Sequence, residues 1–213
     1  WGFRIGYQGK FDAFRVGAMY ASKMSMGEFD SYKGLFAEQG SFDIPSHYGL
    51  GVAWQPDDTW LVAFDWERIN YSDSKSVSNP SSYIGNCAPP SMGGGGQISN
   101  CLGGSHGAGF GWQDINVYKL GVQWKASDAW TLRAGYNIGS NPVRADDVYL
   151  NILAPGVVRS HLTVGATYAW SAKEELTVAA WHARRHNVEG AMPAPTRIGM
   201  SQNGLGVQYS RKF

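Results

Sequence analysis

Apolar side chains recur at every second position through most of this chain, and that period of two restricts it to strands. Tyr118, Leu120, Val122 and Trp124 share one face, and Lys119, Gly121, Gln123 and Lys125 the other. After Ala126-Ser127-Asp128-Ala129 the alternation resumes, with Trp130, Leu132, Ala134, Tyr136 and Ile138 against Thr131, Arg133, Gly135 and Asn137. The same pattern runs through Phe14–Tyr20, Tyr48–Trp54, Trp60–Glu67 and Leu162–Trp170; Leu176–His186 is less regular and becomes a strand by context. Nine strands are expected, over 1–9, 14–29, 43–54, 60–71, 113–125, 130–140, 158–170, 175–188 and 199–213.

Their connections alternate in length. Residues 10–13, 55–59, 126–129 and 171–174 make tight turns, whereas 30–42, 72–112, 141–157 and 189–198 are long and rich in Gly, Pro, Ser and Asn. A soluble sandwich has no reason to gather its long loops at one end. An up-and-down transmembrane β-barrel does, with short periplasmic turns and long extracellular loops. The expected fold is therefore all-β: a transmembrane antiparallel up-and-down β-barrel, with 72–112 as its long extracellular loop. Trp54, Trp60, Trp124, Trp130 and Trp170 flank the tight turns, where an aromatic girdle meets the membrane interface. The terminal Phe213, after Val207 and Tyr209, looks like the aromatic end of the last strand of such a barrel.

Composition agrees. Charged residues are 16% against the ~25% of an ordinary soluble domain, while aromatics reach 14% and Gly numbers 28. A formal net charge of +1 offers nucleic acid no basic face. The chain opens at Trp1 with neither a Met nor an apolar leader, so an export signal is expected to lie outside this stretch. Cys87 and Cys101 sit in a Gly, Ser, Pro and Asn segment without further metal ligands. A disulfide closing that loop of about 15 residues would contribute roughly 3 kcal/mol and require an oxidising compartment; two free thiols are the alternative. His182 and His186, i and i+4, lie about 13 Å apart on a strand, too far for one ion. Ser160-His161 and His182 show no triad spacing. No catalytic residue, metal or cofactor is expected.

Several segments carry a resemblance: Tyr32-Lys33-Gly34-Leu35-Phe36-Ala37-Glu38-Gln39-Gly40 followed by Phe42-Asp43-Ile44-Pro45; Arg68-Ile69-Asn70-Tyr71-Ser72-Asp73; Gly109-Phe110-Gly111-Trp112-Gln113-Asp114 with Val117-Tyr118-Lys119-Leu120-Gly121; Leu132–Asn137; and Asn151-Ile152-Leu153-Ala154-Pro155-Gly156-Val157-Val158. Together they resemble the long-chain fatty acid and hydrophobic-compound transporters of the bacterial outer membrane (the FadL/TodX type). The resemblance implies that residues 1–213 form the C-terminal portion of one fourteen-stranded barrel, whose N-terminal hatch and early strands are absent here. An odd count of nine strands also leaves two open edges, each costly in lipid. The rest of the same barrel is thus an expected partner.

The resemblance further implies a multi-pass outer-membrane protein, surrounded by lipid, that passively takes up long-chain fatty acids or other hydrophobic molecules. Ile84, Met92, Ile98, Leu102 and Phe110 of the long loop could line an apolar entrance, or simply anchor a surface loop. Strand parity turns Lys119, Arg133 and Asn137 toward the lumen, and a register pairing Gln123 with Arg133 sets Asn137 opposite Lys119. Lys119 is the expected carboxylate partner; equally, Lys119 or Arg133 pairs with Asp65 or Glu67 in a polar interior. A smaller complete barrel acting as adhesin, receptor or general porin is the competing reading.

Overall fold

The computed structural model describes residues 1–191 and 193–212. Its strands are β1 (Arg4–Phe11), β2 (Phe14–Ala21), β3 (Ser46–Trp54), β4 (Trp60–Asn70), β5 (Ile115–Lys125), β6 (Trp130–Gly139), β7 (Ser160–Ala169), β8 (Glu174–Gly190) and β9 (Thr196–Arg211). They form one antiparallel sheet in the order β1 to β9, each strand bonded to its sequence neighbours. Among the described residues β1 and β9 do not pair, so the sheet is open. The nine expected strands are all present. Phe213 lies outside the described residues.

Two expected boundaries are corrected. The second strand was expected to reach residue 29, but β2 ends at Ala21. Beyond it the Met26 amide donates to the Asp43 side chain at 2.9 Å, and only an isolated bridge joins Met24 to Ile44. The side-chain acceptor takes a donor that a ladder would otherwise use. The fourth long connection, expected over 189–198, is largely ladder, because β8 runs on to Gly190 and β9 starts at Thr196. A β-bulge between Ala183 and His186 bends that long hairpin locally.

The register sorts side chains by face. Phe64, Leu120, Tyr136 and Leu162 make one continuous row across β4 to β7 on the outward side. Gly51, Asp65, Lys119, Asn137 and His161 make the adjacent inward row. All the outward apolar residues of the first row are exposed, including Leu120 at 51% and Leu162 at 53%. In water that would be a liability; against acyl chains it is the solvated state.

A single curved sheet has no interior between layers, so the packed core lies elsewhere. Val143, Val148 and Val157 of the connections cluster with Ile198 of β9, backed by Trp112, Val188 of β8 and Met200 of β9, at the end of the barrel opposite the tight turns. At the tight-turn end, Trp60 stacks on Trp124 with centroids 5.6 Å apart, Trp130 meets Tyr168 at 4.8 Å, and Trp170 stacks on Tyr209 at 5.9 Å. These half-exposed rings form the expected girdle.

Candidate functional site

The inner face is built from glycines and a few paired charges. Gly17 stands opposite Gly51, and Gly121 opposite Gly135. A Cβ at Gly121, inside the sheet on β5, would meet nothing within 4 Å, which marks open lumen beside the wall. A concavity of about 670 Å³ lies along β1 to β5, with Gly17, Gly51, Met19, Asp65, Glu67 and Lys119 in its wall.

Across β5 and β6 the pairing is the expected one: Gln123 faces Arg133 and Lys119 faces Asn137. Lys119 Nζ donates to Glu67 Oε2 at 2.6 Å, a diagonal step along β4 from its register partner Asp65. Asp65 forms neither an ion pair nor a side-chain hydrogen bond among the described residues, and its carboxylate lies over Gly51. Arg133 donates from Nε to Gln123 Oε1 at 2.8 Å and from a terminal nitrogen to Thr167 Oγ1 at 2.6 Å. Both acceptors are neutral, so the guanidinium keeps its net charge. Asn137 meets His161 Nδ1 at 3.0 Å, and the His161 ring packs beside Trp181 at 5.8 Å. Lys119, Arg133 and Asn137 thus share the lumenal wall; Lys119 and Asn137 are neighbours, whereas Arg133 has its own neutral partners.

The residues of the long loop do not gather into one lining. Met92 and Ile98 are the most exposed, at 78% and 82%, and Ile84 and Leu102 are also exposed. Phe110 is buried, with Trp112 at 6.4 Å. Cys87 and Cys101 form the disulfide, with Cα atoms 4.8 Å apart, closing the segment that carries Met92 and Ile98.

An aromatic cluster in the connection between β2 and β3 was not singled out from the sequence. Phe36 packs on Phe42 at 5.0 Å, Tyr32 on Phe36 at 5.9 Å, and Phe29 touches all three at 6.1 to 6.4 Å. Phe29 and Tyr32 keep about half their surface exposed. The spacing 29, 32, 36 is the signal for it in the sequence, masked because Phe29 falls at the end of the strand expected over 14–29. Glu38 and Gln39 hold the segment to the long loop: their backbone amides donate to Gly104 O and Gly103 O at 2.9 and 3.0 Å, and Lys75 pairs with Glu38 at 2.7 Å.

Asp43 anchors the far side of this connection. Burial alone would raise its carboxyl, but the hydrogen bonds from Lys23 and the Met26 amide, with the Lys23 charge at 2.8 Å, hold it below the usual carboxylate value. Burial pushes the Tyr71 phenol up, and the Glu67 carboxylate adds to the rise. Arg68 and Asp114 pair at 3.1 Å, and the Ser72 amide donates to the same Asp114 carboxylate at 3.0 Å. Among the described residues, no group of three His, Cys, Asp or Glu is placed to hold a metal.

A next-neighbour sheet with an apolar outer face, an interfacial aromatic girdle, a glycine-lined inner face and a stapled loop layer at one end is the wall of an outer-membrane β-barrel. The chain belongs to the outer membrane protein transport protein family (OMPP1/FadL/TodX), whose pattern matches residues 1–211. The members of that family are outer-membrane proteins of Gram-negative bacteria.

Three solved structures share the fold. The toluene transporter TodX of P. putida is similar at 21% identity and TM-score 0.65, with 100% of this chain covering 49% of that one. A FadL homologue of Pseudomonas aeruginosa is 15% identical, with TM-score 0.59 and coverage of 98% and 50%. The toluene transporter TbuX of Ralstonia pickettii is 15% identical, with TM-score 0.56 and coverage of 99% and 47%. The chain therefore spans about half the length of the solved structures it matches. No curated protein matches it by sequence.

Proposed function

We propose that this chain is the C-terminal portion of a fourteen-stranded outer-membrane barrel that passively admits hydrophobic small molecules, uncharged aromatic compounds ahead of long-chain fatty acids. The remainder of the barrel supplies the strands that close β1 and β9. The protein carries out no chemistry on what it passes. The observation that carries this reading is the half-exposed cluster of Phe29, Tyr32, Phe36 and Phe42, set in the loop layer of a barrel of this family. Aromatic rings gain from stacking on one another's faces and edges, and an aromatic solute arriving from water gains in the same way. On the inner wall Lys119 is neutralised by Glu67, and Asp65 adds a negative charge. That wall favours an uncharged solute.

Long-chain fatty acid uptake is the second reading, and Arg133 favours it. Its guanidinium is held by neutral groups and retains a charge for a carboxylate. Ile84, Met92, Ile98 and Leu102 are candidate contacts for a ligand on the loop surface in either case.

The test is uptake into vesicles bearing the full-length protein, comparing an alkylbenzene with a long-chain fatty acid. Phe36→Ala is expected to lower alkylbenzene uptake about tenfold while the barrel still inserts. Uptake unchanged by Phe36→Ala sinks the role of the cluster, and fatty acid uptake exceeding that of the alkylbenzene sinks the substrate order.

A further inference from the structure

The β-bulge of β8 does more than bend a hairpin. Before it, His182 faces outward with Ala180 and Val178, and Ala183 faces the lumen. After it, His186 stands opposite Met200 on the inner side, and Asn187 opposite Gly199 on the outer side. Two consecutive residues, Arg184 and Arg185, take up the irregularity. A bulge sets two residues of one strand against one of its partner and re-aims their side chains. Both arginines are exposed, and Arg185 Nε reaches Asn187 Oδ1 at 3.2 Å on the outer side.

Their height along the strand matters. From Glu174 to Arg184 β8 runs about eleven residues, the ~9–11 that a tilted strand needs to cross the hydrocarbon. With the tight turn on the periplasmic side, the two arginines reach the outer interface. Directly below, Val178 and Ala180 on β8 and Leu205 and Val207 on β9 form an apolar strip on the outward face. His182 lies at the boundary and meets Asn203 Oδ1 at 2.7 Å.

Nothing in the described wall neutralises the pair. Neither Arg184 nor Arg185 has an ion-pair partner among the described residues. The carboxylate on the same face, Glu189, lies against Arg197 at 3.5 Å. A surface that places two guanidinium groups directly over apolar side chains matches a molecule with a phosphate at one end and acyl chains at the other. Guanidinium binds phosphate through two parallel hydrogen bonds, and its weak hydration suits an interface.

We propose that Arg184 and Arg185, with His182 beside them, form a binding site for the phosphate of an outer-leaflet lipid whose acyl chains lie along Val178, Ala180, Leu205 and Val207. The site is on the lipid face of the wall, so it is independent of what passes through the lumen. It tethers the long β8–β9 hairpin to the membrane surface.

The experiment uses the full-length protein purified in detergent, with diphosphoryl lipid A, its dephosphorylated form and inorganic phosphate as probes in native mass spectrometry. Binding of diphosphoryl lipid A is expected to fall at least tenfold in R184A/R185A and to recover in part in R184K/R185K. The dephosphorylated lipid is expected to bind at least tenfold more weakly than the diphosphoryl form. Heat-modifiable migration in gels checks that each variant still folds. If the double variant fails to fold, R184Q and R185Q singly, with a salt titration of the wild type, carry the same test. Binding of the phosphorylated lipid unaffected by these substitutions, or insensitive to salt, overturns the proposal. Inorganic phosphate displacing the lipid at equal concentration overturns the lipid assignment in favour of a free-anion site.

Discussion

Trp112 donates its indole Nε1–H to Asn151 Oδ1 at 2.6 Å, joining the end of the long loop to the connection between β6 and β7. Asn151 is wholly buried, and its amide nitrogen donates to Phe110 O at 2.6 Å and Asp147 O at 2.8 Å. One side chain therefore satisfies three groups from two connections. Asp147 works beside it, accepting from the Ser81 amide at 2.7 Å, the Ser81 hydroxyl at 2.8 Å and Arg144 Nε at 3.0 Å. Gly111, at φ +67°, passes so close that a Cβ there would sit 2.1 Å from the Asp147 carboxylate.

Asn151→Ala leaves the Trp112 indole and two buried carbonyls unpaired. Each orphaned group costs about 1–3 kcal/mol. That cost falls on the loop layer, because the ladders of β1 to β9 do not include Asn151. The expected outcome is rapid proteolysis within 72–112 and 141–157, with heat-modifiable barrel migration preserved. Limited proteolysis followed by mass mapping checks it. Protease resistance equal to wild type would show that water replaces the amide without loss.

The disulfide acts on a different part of the same layer. Cys87 and Cys101 close a segment with short helical turns but no strand, so the crosslink chiefly limits its unfolded freedom. Cys87→Ser with Cys101→Ser is expected to remove about 3 kcal/mol from that loop in the chain-entropy model. Hydrogen exchange of the Gly96, Asn100 and Cys101 amides, which are bonded within the closed segment, is expected to quicken by about a hundredfold or more. Exchange in β5 and β6 is expected to stay as it is. A uniform change across both regions would contradict this division.

The wall was legible in the sequence because a period of two is a local property. The inward and outward rows through Lys119, Asn137, Leu120 and Tyr136 follow from alternation plus one turn, Ala126–Ala129, which fixes the register of that hairpin. The bulge at Ala183 was hidden, because Leu176–His186 merely looks irregular in sequence, and which residue leaves the ladder depends on β9. The loop layer was opaque for the same reason. Asn151 and Trp112 stand in family-like segments and Asp147 in none, and their bonds join positions 39 to 66 residues apart, which no local pattern reveals. Lys119 shows the intermediate case. Its face was legible, but its choice of Glu67 over Asp65 depends on a diagonal reach that pairing alone leaves open.

Acid tests the anchor of the β2–β3 connection. Asp43 is held below its ordinary value of 3.8 in the folded protein, so its ionised form is the one that folding favours. That contribution is complete above the unfolded value of about 4 and is lost as pH falls through the lower folded value. Below that value the protonated carboxyl no longer holds Lys23 by charge, and its bond from the Met26 amide weakens. Protection of the Met26 amide, followed by hydrogen exchange from pH 6 to pH 2, is expected to be flat above about pH 4 and to decline below it. In Asp43→Asn the profile is expected to be flat and low throughout. A wild-type profile that rises toward acid would reverse the sign and exclude this anchor.

Charge in the lumen separates the two substrate readings. Arg133 retains its net charge, whereas Lys119 is committed to Glu67. Arg133→Gln is therefore expected to weaken binding of a long-chain fatty acid to the full-length protein, by about tenfold for loss of one charge-assisted hydrogen bond. Binding of an alkylbenzene is expected to be unaffected by that change. Lys119→Ala frees the Glu67 carboxylate and makes the mid-wall more negative, so it too disfavours the fatty acid, through repulsion and at a distance. Its cost to stability is expected to be under about 1 kcal/mol, because Lys119 is nearly half exposed and solvent screens the pair. Adding Glu67→Gln to Lys119→Ala discriminates the two roles. If Lys119 acts only by neutralising Glu67, the double variant regains fatty acid binding. If Lys119 itself holds the carboxylate, the double variant binds no better than Lys119→Ala. Titration calorimetry of the three variants with both ligands makes the measurement, and equal losses for both ligands in Arg133→Gln would remove charge from the account of selectivity.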